Sequence, residues 1–466
     1  MAIEETPKIK YKNLKFFISA IGLVLVFCLI FNTISRIVVH PHDEKGFSMV
    51  GNYYEEEENS LDVVFIGSST TYAAWNPIIA WKQFGITAYG LTTPDQPLYA
   101  AKYLCKEARK TQPDALYIFN LVTLCQYFDE DPYFAFHALL DYMPLSWNRI
   151  MIAKSICDTM GYEYKDNIEL FIPLVRYHEQ WKDWDAKYLN KKLDTVRGVA
   201  HYTRFLTKVD DVTENFTYTP DVVDFKPEHE TLRTCIKELL AYLKEENVNA
   251  MFITTPTAGK EHDVYGYINK AVEMTREAGF TVLDMQSREK LDEIGIDITR
   301  DFYNMSHLNV HGSMKMTKYL GKYIVDEYGF KNKNGDKSYS AGASWDHSYN
   351  NYIKKIKPYV LEQEYTFKTD NHFICPKIRL ESVNGTEVKL FWHKAEGADG
   401  YAIYKKSDKK LPYELVTQGE LSDLTYTDKG EKGKTYTYIV VAYKGSGDKQ
   451  VWSTYNPRGT EAVIPK

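Results

Sequence analysis

Five short runs of apolar and β-branched residues constrain the fold more than any other feature: DVVFIG (62–67), ITAYGL (86–91), ALYIFNL (115–121), NAMFITTP (249–256) and FTVLDM (280–285). None alternates polar with apolar along its length, so each reads as a strand buried on both faces. Amphipathic stretches lie between them. PLYAAKYLCKEARK follows the second run, PEHETLRTCIKELLAYLKEE precedes the fourth, VYGYINKAVEMTREAG links the fourth to the fifth, and GSMKMTKYLGKYIVDEYG closes the region. Such a succession predicts an α/β domain over 46–335, a five-stranded parallel sheet covered by helices in a three-layer αβα arrangement. Residues 125–225 break the rhythm. Rich in Trp, Tyr and Phe and without strand signals, they are expected as a mainly helical insertion.

Two different segments flank this domain. Between Lys15 and Arg36 lie the uncharged residues Phe16 to Ser35. As a helix they cover ~30 Å, the thickness of a bilayer's hydrocarbon core. Lys8, Lys10, Lys12 and Lys15 precede them and only Arg36 follows closely. By the positive-inside rule, residues 1–45 form a cytoplasmic tail and single transmembrane anchor, with everything beyond outside the cell membrane. A cleaved signal peptide is the competing reading, but its apolar region is usually ~7–15 residues and ends at a small-residue cleavage site. The sequence NTISRIVVHP offers no such site.

At the other end, polar residues 336–373 read as a linker. Beyond them the period changes to two. Val388, Leu390 and Trp392 alternate with Lys389, Phe391 and His393; Tyr401 and Ile403 alternate in GYAIYKK; and Tyr436, Tyr438, Val440 and Ala442 alternate in KTYTYIVVAYK. A small all-β sandwich follows for 374–466. The pattern LFW…GYAIY…YTDKG…GKTYTYIVVA resembles a fibronectin type III domain, Trp392 standing where the core tryptophan does. That resemblance implies a spacer or binding module and no chemistry.

Composition removes several function classes. The net charge of −6 argues against nucleic acid, which needs a basic surface. A mean hydropathy of −0.42 excludes a polytopic membrane protein and permits one span. The six cysteines, at 28, 105, 125, 157, 235 and 375, form neither a CxxC pair nor a metal-type spacing. Nothing resembles a phosphate-cradling loop, so neither a metal nor a cofactor is expected.

Two motifs carry chemistry. The first strand ends in Gly67-Ser68-Ser69-Thr70-Thr71 with a helix starting just beyond. A serine at such a turn is lifted to the sheet's C-terminal edge, where open α/β sheets bind ligands and where helix N–H groups can stabilise an oxyanion. After the fifth strand comes Asp301-Phe302-Tyr303-Asn304-Met305-Ser306-His307-Leu308-Asn309, then Gly312 and the last helix. A histidine there can approach the serine from the opposite side as general base and then acid.

Together the GSS turn and the HLNxxG motif resemble the SGNH/GDSL hydrolase superfamily. The likeness is to its membrane-anchored cell-envelope branch, which includes the D-alanyl transfer protein of teichoic acid modification and the alginate O-acetylation proteins. It covers roughly 60–330, RYHEQW (Arg176 to Trp181) included. The resemblance implies Ser69 as nucleophile and His307 as base, with Gly90 and Asn120 as oxyanion-hole donors, although the usual G-x-N-D block is absent. His178 is a candidate for lining the acceptor groove. One departure stands out: the family's D-x-x-H acid is here Asn304. Either Asp301 substitutes, a slower dyad operates, or the site is degenerate; the first two are favoured over the third.

The resulting expectation is an extracytoplasmic serine O-acyltransferase acting through an acyl-Ser69 ester on a cell-surface polysaccharide or teichoic-type polymer. By the family's pattern a membrane-bound O-acyltransferase supplies the acyl group. A surface carbohydrate esterase and a non-catalytic glycan- or partner-binding protein are the alternatives. Abundant aromatic residues, 37 Tyr among them, fit all three.

Overall fold

The computed structural model describes residues 8–38, 47–124, 133–183, 197, 218–259, 262–298, 301–353, 378–408, 413–419, 424–446, 450–453 and 459–466. The apolar N-terminal segment is one helix, α1 (Lys8–Val38). Its Asn13–Ser35 portion is long and apolar enough to cross a membrane, with a mean hydropathy of 2.6 over its most apolar window. None of that window is buried against the rest of the chain. By length and composition this helix is a candidate span, a test that a signal sequence passes as well.

The five predicted runs all become strands: β1 (Val63–Gly67), β2 (Ala88–Thr92), β3 (Leu116–Asn120), β4 (Ala250–Thr254) and β5 (Val282–Asp284). They pair in parallel in the order β2-β1-β3-β4-β5. Residues of β1, β2 and β3 are buried throughout, as a sheet covered on both faces requires. One covering core holds Val64, Ile66, Tyr117, Phe119 and Phe252, and the other Val63, Phe65, Leu116, Ile118 and Met251. The period of two thus survives inside the strands, invisible in the sequence because both faces are apolar.

Short helices flank β1: α2 (Phe47–Tyr53) precedes it, and α3 (Ser69–Ala74) and α4 (Pro77–Phe84) follow. Asn76 caps α4 through bonds from the Ile78 and Ile79 N–H groups at 3.1 Å. The four amphipathic stretches become α5 (Ala101–Ala108) and, beyond the insertion, the helices Glu230–Glu245, His262–Glu277 and Val310–Tyr328. Within 125–225 the described residues 133–183 are mainly helical, whereas 218–225 form neither helix nor strand. After α6 (Leu121–Leu124) the insertion holds α7 (Tyr133–Leu140), α8 (Trp147–Met160), α9 (Ile168–Phe171) and α10 (Pro173–Tyr177), then a 3-10 turn over His178–Asp183. Buried Arg149 ties these together: its guanidinium donates to the Leu140, Leu170 and Phe171 carbonyls, the last residues of α7 and α9. A cation is well placed there, at the negative ends of two helices.

Part of the stretch expected to be a linker is packed. Residues 342–353 are helical, Trp345 stacks on Trp81 at 5.6 Å, and the buried Tyr352 hydroxyl accepts from Asn76 Nδ2 at 2.6 Å. The remainder of that stretch, 354–373, lies outside the described residues. The C-terminal region is all-β. One sheet runs β12-β9-β8 and the other β11-β10-β13-β14, with β15 also on β13. These strands are β8 (Ile378–Asn384), β9 (Glu387–Trp392), β10 (Gly400–Lys406), β11 (Glu414–Gly419), β12 (Thr425–Lys429), β13 (Thr435–Lys444), β14 (Val451–Trp452) and β15 (Thr460–Val463). Val388, Leu390, Trp392, Tyr401, Ile403, Tyr436, Tyr438, Val440 and Ala442 are all in its core, the residues whose alternation marked these strands.

Candidate active site

The sheet order places β2 on one side of β1 and β3 on the other. The chain therefore changes direction between β1 and β3, and the crevice at their C-terminal ends is where such sheets bind ligands. Ser69 follows β1 at that crevice as the first residue of α3.

Why Ser69 rather than Ser68 can act follows from the turn. Ser68 is fully buried; its N–H and its Oγ both bond Thr123 Oγ1, at 3.0 and 3.2 Å. Ser69 Oγ instead lies 2.7 Å from His307 Nε2. Gly67 lets the chain turn this tightly, since a Cβ there would fall 2.1 Å from Thr71 Oγ1 and 3.2 Å from Asn120 Cβ. Gly67→Ala is accordingly expected to cost about 1–3 kcal/mol by overpacking and to slow covalent labelling of Ser69. A denaturation midpoint and a labelling rate both equal to the native values would contradict it.

His307 arrives on a two-stranded hairpin, β6 (Phe302–Asn304) and β7 (His307–Leu308). Phe302 and Leu308 are buried in the core beneath the sheet and anchor it, at ~1.5–3 kcal/mol each. Asn304 and His307, paired across the hairpin, are on its more open side. Asn309 then caps the following helix, accepting from the His311 and Gly312 N–H groups at 2.9 and 3.1 Å. Gly312 is needed for close approach: a Cβ would meet the Asp301 carbonyl at 2.3 Å.

Asn304 Oδ1 is 2.8 Å from His307 Nδ1 and also accepts the backbone N–H groups of Ser306 and His307, each at 3.0 Å. Backbone N–H can only donate, so the amide atom facing the ring must be the oxygen. His307 Nδ1 must then carry hydrogen, leaving Nε2 with a lone pair for the Ser69 hydroxyl proton. The result is an ordered chain Asn304–His307–Ser69 in the tautomer a general base requires.

Asp301, the expected surrogate acid, is not brought to the ring. It sits at the far end of the hairpin, its carbonyl accepting from Asn309 N–H at 2.8 Å. Three residues of strand from Asn304 amount to ~10 Å. The Asp301 carboxylate pairs with Lys315 Nζ at 2.7 Å and accepts the Asp297 N–H at 2.6 Å. Burial pushes this carboxyl above its ordinary value, against the pull of Lys315. A raised folded pKa contributes stability that is present below the unfolded value of ~3.9 and lost as pH rises through the folded value. Asp301→Asn is therefore expected to leave turnover within a few-fold of native and to gain in Tm relative to native between acid and neutral pH. A large loss of turnover with unchanged Tm would assign Asp301 a part in the chemistry.

The other expected residues are placed as follows. Gly90 lies inside β2 opposite Phe65, and its N–H donates to the Arg197 carbonyl at 3.2 Å. Thr92, not Gly90, is level with Gly67 at the sheet edge. Asn120 Nδ2 lies 3.0 Å from each of Thr70, Thr71 and Thr255 Oγ1, and Asn120 Oδ1 accepts the Val122 N–H at 3.1 Å. Neither residue is presented to Ser69. Asn120 instead ties the end of β3 to the first turn of α3 and to the loop after β4. His178 is exposed on the insertion, with Nδ1 2.6 Å from the Val175 carbonyl, and is not brought to the Ser69 side chain. The residues not anticipated are the buried threonines 70, 71, 123 and 255, which surround the serine turn. Their signal was available: GSSTT, NLVT and FITTP each put threonine just past a strand. Among the described residues no group of His, Cys, Asp and Glu could hold a metal ion.

No protein-family model matches the chain, and no curated protein matches it. Among solved structures, a Fn3-like protein from Clostridium thermocellum is 24% identical over 21% of this chain and 94% of its own, with a TM-score of 0.16. The fn3 domain of human collagen alpha-1(XX) chain is 21% identical over 21% of this chain and 90% of its own, with a TM-score of 0.16. A beta-1,2-glucanase from Parabacteroides distasonis is 21% identical over 21% of this chain, which spans only 14% of that protein, with a TM-score of 0.18. Fibronectin type III-like neighbours therefore exist, each over about a fifth of this chain.

Proposed function

We propose that the chain is a serine-dependent acyl-transfer enzyme of SGNH-like fold. It would be held at the outer face of a cell membrane by α1 and would act on hydroxyl groups of a surface polysaccharide or teichoic-type polymer. The observation that carries this reading is the Ser69–His307–Asn304 chain of hydrogen bonds at the sheet's switch point. Ser69 Oγ attacks the donor's acyl carbonyl while its proton passes to His307 Nε2. The C–O or C–S bond to the leaving group breaks, and the leaving group takes that proton. An acceptor hydroxyl then gives its proton to Nε2, attacks the acyl-Ser69 ester and releases Ser69 as the hydroxyl. The Thr71 and Tyr72 N–H groups already bond the Ser68 carbonyl, so the Ser69 and Thr70 N–H groups, ahead of them in α3, would be the donors to the oxyanion.

The four lysines ahead of the span support a cytoplasmic N-terminus. A membrane-bound O-acyltransferase as donor, and the C-terminal sandwich as a spacer or glycan-binding module, belong to the same proposal by analogy.

Fluorophosphonate labelling of the full chain in detergent, mapped by peptide mass spectrometry, tests it. Label on Ser69, with acyl turnover accelerated by added glycan hydroxyls, is the expected result. Label with turnover indifferent to acceptor would make the protein an esterase. A folded protein that takes no label would leave a binding role.

A further inference from the structure

The anchor helix and the helical insertion touch. Val38, the last residue of α1, is buried with Tyr177 and packed against Leu174, both on α10. Helix α1 also contacts the 3-10 turn His178–Asp183. Ser35, at the end of the apolar stretch, is buried as well. Val38 lies three residues past Ser35, ~4.5 Å along the axis. The headgroup layer outside the hydrocarbon core is ~5–8 Å thick on each side. With α1 spanning a bilayer, α10 and the 3-10 turn therefore sit at headgroup depth.

Their outward side chains suit that depth. Val175 on α10 is 43% exposed and Trp181 on the 3-10 turn 63% exposed. Adjoining helices of the same insertion leave Phe134, Trp147 and Ile168 exposed too. Several large apolar side chains bared on one insertion, tryptophan among them, suit the membrane–water boundary, which the indole ring favours. Cations flank the patch: Arg176 precedes Tyr177, and Lys182 follows Trp181.

We propose that this face of the helical insertion lies in the lipid headgroup layer, with the phospholipid surface as its occupant and Trp181 and Val175 as its contacts. The inference rests on α1 spanning the membrane and not on the catalytic reading. It makes the insertion a second, peripheral attachment that restricts rotation of the α/β domain about the anchor.

The test uses the full chain reconstituted in phosphatidylcholine–phosphatidylglycerol vesicles, with and without acyl-brominated phosphatidylcholine. The emission difference between native protein and Trp181→Phe isolates Trp181, which is exposed enough for the substitution to leave the fold intact. Brominated lipid is expected to reduce that difference by roughly half or more, and aqueous acrylamide to affect it little. Quenching by acrylamide alone places the residue in water and overturns the proposal; quenching by neither means protein covers it, which also overturns it. Reaction of Cys28, inside the span, with a membrane-impermeant maleimide separates the premises. A labelled Cys28 removes the span and the proposal together, whereas a protected Cys28 beside a water-exposed Trp181 removes the proposal alone.

Discussion

Ser69→Ala and His307→Ala are each expected to lower acyl-transfer turnover by ~10⁴–10⁶, and the double variant to be no slower than either single one. The reason is that the two side chains form one device. On the proposed reading His307 Nε2, 2.7 Å from Ser69 Oγ, takes the hydroxyl proton as the oxygen attacks, and without either partner no activated nucleophile would remain. Both variants should fold. Ser69 and His307 contribute no apolar bulk to either core, and the hairpin is held by Phe302 and Leu308. Turnover of an activated ester, together with the fluorophosphonate labelling rate, reads the effect. Additive losses in the double variant would mean that the two residues act separately, and native-like turnover in Ser69→Ala would remove Ser69 from the chemistry.

The fold was legible where burial is total. All five parallel strands and the four amphipathic helices are marked by their patterns; β1 to β3 are buried along their whole length, and even the half-buried edge strand β5 keeps the apolar Val282 and Leu283. The C-terminal strands were equally plain for the opposite reason. Val388, Leu390 and Trp392 point into one core while Lys389 faces out. The packed helix over 342–353 was not anticipated. Its buried positions, Trp345, Ser348 and Tyr352, keep a helical period with the partly buried Tyr349 and Ile353. Ser348 is polar and the residues around it are polar too, so the period does not stand out as an apolar stripe.

Within the site, the serine turn and the histidine loop could be found because glycine and asparagine mark their backbone requirements: Gly67, Gly312 and the capping Asn309. The oxyanion donors were harder. A motif places Gly90 near the end of a strand, but register decides whether its N–H reaches the edge, and Gly90 pairs with Phe65, two residues short. Asn120 is where expected, yet three threonine hydroxyls surround its amide. The threonines just past β1 and β4 are visible in the sequence, but that they converge on Asn120 at the end of β3 depends on the strand order.

Asn304 is where the largest gain is expected. In a serine protease, exchanging the orienting Asp for Asn costs about 10⁴ by admitting the wrong tautomer. That penalty does not apply here, because the Ser306 and His307 N–H groups oblige Asn304 to present its oxygen. What is missing is only the negative charge that would offset the imidazolium. Asn304→Asp keeps both backbone bonds, adds that charge 2.8 Å from Nδ1 and should raise the His307 pKa. In so open a position the added charge is screened, so turnover should rise by no more than roughly tenfold. Asn304→Ala removes the tautomer lock and two backbone acceptor bonds, and should lose ~10²–10⁴ in turnover. A pH profile of turnover for the three proteins checks both, the Asp variant moving its acid limb, where His307 becomes protonated, toward higher pH. If instead Asn304→Asp changed nothing while Asp301→Ala abolished turnover, Asp301 and not Asn304 would be the residue that orients the imidazole.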